Sequence, residues 1–90
     1  MLLKDLLYKA GTEKVLGSTE IDISNISFDS RKIFQKSLFV AVKGLQYDGH
    51  EFIEKAVLSG AEAVVCERIP DSIVPEVSYI QVKNSNNALG

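Results

Sequence analysis

The sequence is poor in the residues that build disulfides and metal sites: Cys66 is its single cysteine and His50 its single histidine. One cysteine excludes an intrachain disulfide and a cysteine-rich metal site, and it favours a reducing, cytoplasmic setting. The run Ala63–Cys66 is typical of a buried strand, so Cys66 is predicted to be an inert core thiol. A metal cluster around His50 would need carboxylates, which are not suitably spaced, so no metal site is predicted.

Long apolar runs and basic runs are also missing. The apolar runs are far too short to span a bilayer, and charged residues at positions 4, 5 and 9 interrupt the N-terminal leucines where a signal peptide needs an unbroken core. The formal net charge is -2, which argues against a nucleic-acid polymer but leaves room for one nucleotide held by directed hydrogen bonds. We therefore expect no membrane insertion and no nucleic-acid partner.

Glycine-rich phosphate loops of the GxGxxG or GxxxxGK[ST] type do not occur, and no nucleophile–base pair is apparent. No catalytic residue is therefore predicted among these 90 residues. What the chain does have is a hydrophobic content of 46%, enough to build the core of one small domain and to argue against disorder.

Hydrophobic periodicity predicts alternating helices and strands. Residues 2–10 carry leucines at helical spacing and Gly11 is a natural stop, so a short amphipathic helix should pack on a sheet. The alternative is that this leucine face binds a partner. An edge strand is expected at 14–17, and the expected central strands are 26–28, 38–42, 63–66 and 79–82.

The middle of the chain predicts a parallel strand–helix–strand unit. Leu38–Val42 is a short apolar run ahead of Gly44, which is typical of a strand buried on both faces. Asp48 fits the N-cap of the next helix with Glu51 as its capping-box partner, and Gly60 ends that helix. We predict a small three-layer α/β domain with a mixed, mostly parallel sheet flanked by helices.

Polar loops follow two of the predicted strands, and ligands of open α/β sheets bind where strand ends meet helix starts. In the first loop, Asp29 can pair with Arg31 or accept backbone N–H groups, and Ser30 can offer a hydroxyl and an amide to a phosphate. The second loop, 45–50, leads into the helix and contains His50. The alternative is that the first loop is purely structural and that His50 is an ordinary residue of the first helical turn.

The order and spacing of four motifs resemble the N-terminal domain of the Mur ligases, over effectively the whole chain. The motifs are DSR at 29–31, SLFVAVKG at 37–44, DGHEFI at 48–53 and GAEAVV at 60–65. The leucine-rich opening and the tail at 79–85 resemble the MurE type more than the MurF type, which shares the central motifs. One departure is Gln35-Lys36-Ser37, where many family members have Pro-Gly-Asp.

This resemblance implies that residues 1–90 are the substrate-binding domain of a longer, ATP-dependent amide ligase. The full-length enzyme would add a diamino acid, more commonly meso-diaminopimelate than L-lysine, to UDP-N-acetylmuramoyl-L-alanyl-D-glutamate during peptidoglycan precursor synthesis. ATP and Mg²⁺ would belong to the rest of that protein, so no cofactor and no catalytic activity are expected in this chain. We expect a monomer. The alternatives are a MurF-type domain and a non-catalytic α/β interaction module.

The resemblance also assigns site residues by position. The substrate contacts it implies are Phe28, Ser30, Leu45, Gln46 and Tyr47. The residues it implies in supporting roles are Asp29, Arg31, Gly44, Asp48 and His50. Backbone amides of the second loop can read the edge of uracil, and an aromatic ring at position 28 or 47 can supply an apolar face.

Overall fold

The computed structural model describes residues 1–8, 11–42 and 48–85, which form one five-stranded sheet with a helix on each face. The strands are β1 (Thr12–Leu16), β2 (Asn25–Ser27), β3 (Ser37–Val40), β4 (Ala61–Cys66) and β5 (Ser78–Val82). The α-helices are α1 (Leu3–Leu6) and α2 (Ile53–Leu58), and two 3-10 turns lie at Ser30–Lys32 and Gly49–Phe52. None of the helices in these three segments has the length and apolar character needed to cross a membrane.

The strand order is β1-β5-β4-β3-β2. Strands β2, β3, β4 and β5 run parallel to one another, and β1 pairs antiparallel with β5 and forms the other edge strand. The connection from β3 to β4 contains α2, as parallel neighbours require. The prediction of a mixed, mostly parallel sheet with helices on its faces is confirmed.

The core consists of two apolar layers, because side chains alternate across the sheet along each strand. On one face, Leu38 and Val40 of β3 pack with Leu3 of α1. On the other face, Phe39 packs with Ile53 and Ala56 of α2. Every residue of β3 is buried, which confirms the prediction of a strand covered on both faces.

The prediction that strand 26–28 is central is wrong. β2 has only three residues and pairs on one side, with β3, so it is an edge strand. The side chains of Ile26 and Phe28 are 41% and 56% exposed. The polar residues Asn25 and Ser27 that flank Ile26 fit a strand that water reaches, and the chain leaves the sheet at Phe28 to enter the first 3-10 turn.

The predicted helix at 2–10 is shorter than expected. α1 ends at Leu6, Leu7 and Tyr8 form a turn, and residues 9 and 10 lie outside the described residues. The side chains of Leu3 and Leu7 are 0% and 9% exposed. Burial of these two leucines confirms that the helix packs on the sheet, whereas Leu2 is 36% exposed and partner binding through this face is not tested by the structure.

The turn before β3 accommodates the departure at Gln35-Lys36-Ser37. Lys36 has a φ of 60°, a left-handed conformation that favours glycine, which is the residue that the family resemblance leads us to expect here. The side-chain hydroxyl of Ser37 accepts hydrogen bonds from Asn25 Nδ2 at 3.0 Å and from the Phe34 N–H at 3.1 Å. The serine thus supplies the oxygen acceptor that aspartate would offer, and the turn leads β3 into register beside β2.

Candidate functional site

The first loop, 28–31, is held by its own hydrogen bonds at the end of β2. The Ser27 hydroxyl accepts the Asp29 N–H at 3.0 Å. The Asp29 carboxylate accepts the Arg31 N–H at 2.9 Å, and it also accepts Arg31 Nε and Nη2 at 3.1 and 2.9 Å. Both interactions considered for Asp29 from the sequence therefore occur together. Hydrogen bonds from the Arg31 side chain, and then from its backbone N–H, lower the pKa of Asp29 to about 2.

The second loop is closed at its base by a backbone contact. The Gly49 N–H donates to the Val42 carbonyl oxygen at 2.7 Å, which joins the end of the β3 segment to the start of the next turn. A Cβ atom at position 49 would lie 2.7 Å from Val42 N and 2.8 Å from Val42 O, so only glycine fits. Gly44, Leu45, Gln46 and Tyr47, which were predicted from the family resemblance, lie outside the described residues.

The capping-box prediction for Asp48 and Glu51 is wrong in its partner. The Asp48 carboxylate accepts the N–H of His50 at 3.0 Å, while the Glu51 N–H donates to the Asp48 carbonyl. The reason is that the first turn is a 3-10 turn, whose i to i+3 backbone bond occupies the Glu51 N–H. The backbone N–H of His50, followed by its side chain, lowers the pKa of Asp48.

His50 lies in the first helical turn and links the second loop to the end of β4. Its ring Nδ1 is 2.7 Å from Asp48 Oδ1, and its Nε2 accepts the Glu67 N–H at 2.9 Å. Accepting at Nε2 requires a neutral ring with its proton on Nδ1, donated to Asp48. The side chain is only 7% exposed, and both ring nitrogens are engaged within the protein, so His50 orders the base of the loop.

Glu67 continues this polar network across the sheet. Its carbonyl accepts Gln81 Nε2 at 3.1 Å, and its carboxylate accepts the Ser85 N–H at 2.9 Å. These bonds tie the carboxyl ends of β4 and β5 to the start of the α2 segment.

A cavity of about 450 Å³ lies between the first loop and the α2 segment. Its lining residues are Phe28, Asp29, Ser30, Arg31, Phe39, Val42, Gly49, Phe52 and Lys55. The structure thus brings together all four predicted residues of the first loop, whereas Asp48 and His50 are not among the lining residues and His50 lines a second cavity. The Ser30 residue is 6% exposed, and a buried polar residue at a cavity is a candidate for ligand contact.

Sequence reasoning missed the part of the cavity that comes from β3 and α2. From the sequence, Phe39 belongs to a buried strand and Phe52 to the helix that follows Asp48, and Lys55 was not singled out. The spacing of Phe52 and Lys55, three residues apart, does place them on one helical face, so a helical-wheel argument linking this face to the first loop could have found them.

The residues present do not fit ATP or Mg²⁺. The sequence contains no GxxxxGK[ST] run. The part of the chain that the structure describes contains no group of three or more His, Cys, Asp or Glu side chains that could hold a metal ion.

The Mur ligase family model, described as "Mur ligase family, catalytic domain", matches residues 22–90. The chain belongs to the Mur ligase family. It is 46% identical over 91 residues to the UDP-N-acetylmuramoyl-L-alanyl-D-glutamate--2,6-diaminopimelate ligase of Cytophaga hutchinsonii, and 42% identical over 90 residues to the ligase of that name from Bacteroides thetaiotaomicron. Each match covers 100% of this chain and 19% of the relative.

Solved Mur ligases share the fold. A crystal structure of MurF from Acinetobacter baumannii matches with a TM-score of 0.81 and 25% identity, over 97% of this chain and 19% of that one. MurF from Thermotoga maritima, solved in complex with ADP, matches with a TM-score of 0.60 and 33% identity, over 68% of this chain and 14% of that one. This Mur ligase chain thus spans about a fifth of the length of the relatives it matches.

Proposed function

We propose that residues 1–90 are the N-terminal substrate-binding domain of a longer MurE-type ligase and that the cavity beside the first loop receives the uridine diphosphate end of its substrate. The observation that carries this proposal is the convergence of the loop at 28–31 and the Val42–Gly49 base of the second loop on one cavity. The family resemblance assigns uridine nucleotide contacts to these same two loops.

The cavity has the chemical character that a nucleotide needs. Phe28, Phe39 and Phe52 supply apolar walls against which a pyrimidine ring can pack. Ser30 offers a hydroxyl, Lys55 adds positive charge to the lining, and Arg31 is paired with the Asp29 carboxylate. A volume of about 450 Å³ falls within the range of small-molecule sites. Leu45, Gln46 and Tyr47 complete the proposed contacts.

The activity of the longer protein is part of the proposal. It would be an ATP-dependent ligase in which phosphoryl transfer from ATP to the D-glutamate side-chain carboxyl of UDP-N-acetylmuramoyl-L-alanyl-D-glutamate gives an acyl phosphate and ADP. The amine of meso-diaminopimelate would then attack the acyl carbon, forming the amide and releasing inorganic phosphate. ATP and Mg²⁺ would be held outside these 90 residues, and this chain contributes binding and orientation of the nucleotide end. A cytoplasmic location and a monomeric state stay predictions.

Two types of Mur ligase, MurE and MurF, are candidates for the complete protein. The sequence relatives at 46% and 42% identity carry the name of the diaminopimelate-adding ligase, whereas the structural neighbours named MurF are 25% and 33% identical. Higher identity over the whole chain favours the MurE type.

The test is an amide-ligation assay on the complete protein with ATP, Mg²⁺ and UDP-N-acetylmuramoyl-L-alanyl-D-glutamate. We expect product with meso-diaminopimelate. L-lysine in its place tests the other diamino acid. Product only from the tripeptide precursor and D-alanyl-D-alanine would instead establish a MurF-type enzyme, and no product with any acceptor would contradict the ligase assignment.

A further inference from the structure

The cavity beside the first loop is lined by two cations, Arg31 and Lys55, and by one carboxylate, Asp29. Arg31 and Asp29 form a bidentate ion pair, in which Nε donates to Oδ1 at 3.1 Å and Nη2 donates to Oδ2 at 2.9 Å. Both groups are ionised at neutral pH and lie in direct contact, so the negative charge of Asp29 offsets the positive charge of Arg31. The pair therefore shapes the loop and adds little net charge to the cavity.

Lys55 differs from Arg31 in its ion pairing. It is exposed on α2, three residues after Phe52, and both side chains line the cavity. Among residues 1–8, 11–42 and 48–85, no carboxylate forms an ion pair with Lys55, although Glu51 and Glu54 lie on the same helical segment. Lys55 thus brings the uncompensated positive charge of the lining.

We propose that Lys55 is the residue of this cavity that recognises the diphosphate of the bound uridine nucleotide, while Phe28, Phe39 and Phe52 hold its apolar part. This inference rests on the proposed function of the cavity. A lysine ammonium on a flexible stem binds phosphate as a point charge and needs no fixed geometry. Lys55 should therefore set the preference for UDP over uridine, and the aromatic walls should contribute equally to both.

The test compares UDP, UMP and uridine by calorimetric titration of the complete protein, with ADP present to occupy any adenine-nucleotide site. The variants are Lys55→Gln, which removes the charge, and Lys55→Arg, which keeps it. The matched control is Lys14→Gln, because Lys14 is exposed on β1 at the opposite edge of the sheet. Thermal melts establish that each variant is folded.

We expect Lys55→Gln to weaken UDP binding about three- to tenfold and to leave uridine binding unchanged. Lys55→Arg should stay within about twofold of the parent, and Lys14→Gln should have no effect. Raising the ionic strength should weaken UDP binding in the parent more than in Lys55→Gln, since salt screens the charge that the variant lacks.

The failure of this inference differs from the failure of the proposed site. If Ser30→Ala weakens UDP binding while Lys55→Gln leaves the ratio of UDP to uridine affinity unchanged, the cavity is the site and Lys55 does not read the phosphate. If neither Ser30→Ala nor Phe28→Ala changes UDP binding, or if UDP does not bind, the cavity is not the uridine nucleotide site and both proposals fall.

Discussion

At the scale of single residues, the first loop depends on the pair between Asp29 and Arg31. The Arg31 guanidinium and backbone N–H both donate to the Asp29 carboxylate, and this arrangement holds the segment 28–31 beside the cavity. A structural interpretation and a ligand-binding interpretation of the loop were alternatives from the sequence. The geometry joins them, because the bonds that order the loop leave Phe28 and Ser30 on the cavity lining.

The titration of Asp29 tests this pairing. Its pKa is about 2 in the folded protein, below the usual 3.8, so ionised Asp29 adds stability above pH 3.8 that is lost as the pH falls through about 2. Arg31→Gln should raise the pKa towards 3.8, because it removes the largest cause of the shift. The measurement is an NMR titration of the Asp29 carboxyl carbon.

The control for that titration is Lys32→Gln. Lys32 acts on Asp29 only through a small, long-range attraction, so this variant should move the pKa much less than Arg31→Gln does. Equal shifts in the two variants, or an Asp29 that titrates near 3.8 in the parent, would contradict the hydrogen-bonded pair.

At the scale of elements, the sequence predicted the buried strands of the sheet but not which strand lies at its edge. The apolar runs that became β3, β4 and β5 are buried by neighbours on both sides, so their composition alone identifies them. β2 was assigned to the centre because alternation reveals a strand but not how many partners it has. The cap at Asp48 was assigned to the wrong partner because no pattern distinguishes a first turn of 3-10 geometry from an α-helical one.

The junction between β3 and the α2 segment depends on Gly49. Replacing it with alanine would force a Cβ to within 2.8 Å of the Val42 backbone and strain the 2.7 Å hydrogen bond there. We expect Gly49→Ala to lower the free energy of unfolding by about 2–4 kcal/mol, from overpacking together with a weakened backbone bond. Urea denaturation followed by circular dichroism measures this change.

Glu51→Ala is the matched control, because Glu51 is exposed in the same 3-10 turn. It should change the free energy of unfolding by no more than about 0.5 kcal/mol. A Gly49→Ala variant as stable as Glu51→Ala would show that the loop base is not closed by this contact.

At the scale of the whole molecule, the candidate site lies at the end of the sheet where the parallel strands finish. The first loop and the Val42–Gly49 contact line the cavity there, and the network through His50 and Glu67 ties the ends of β4 and β5 to the α2 segment. The motifs predicted that all four residues of the first loop belong to one site, and all four line the cavity. They could not predict the cavity itself, because Phe39, Phe52 and Lys55 reach it from elements that packing brings together only in the folded chain.

The most direct test of the central claim is an NMR titration of the ¹⁵N-labelled chain with UDP, repeated on the complete protein. The account predicts amide shifts at 28–31 and 49–52, with Ser30→Ala weakening binding by about 1–3 kcal/mol through loss of a hydrogen bond to a charged phosphate oxygen. Cys66→Ser should leave binding unchanged apart from any loss of stability, because Cys66 is buried in β4 and is not among the residues that line the cavity. Shifts confined to the α1 surface, or none at 28–31 in either protein at millimolar UDP, would contradict it.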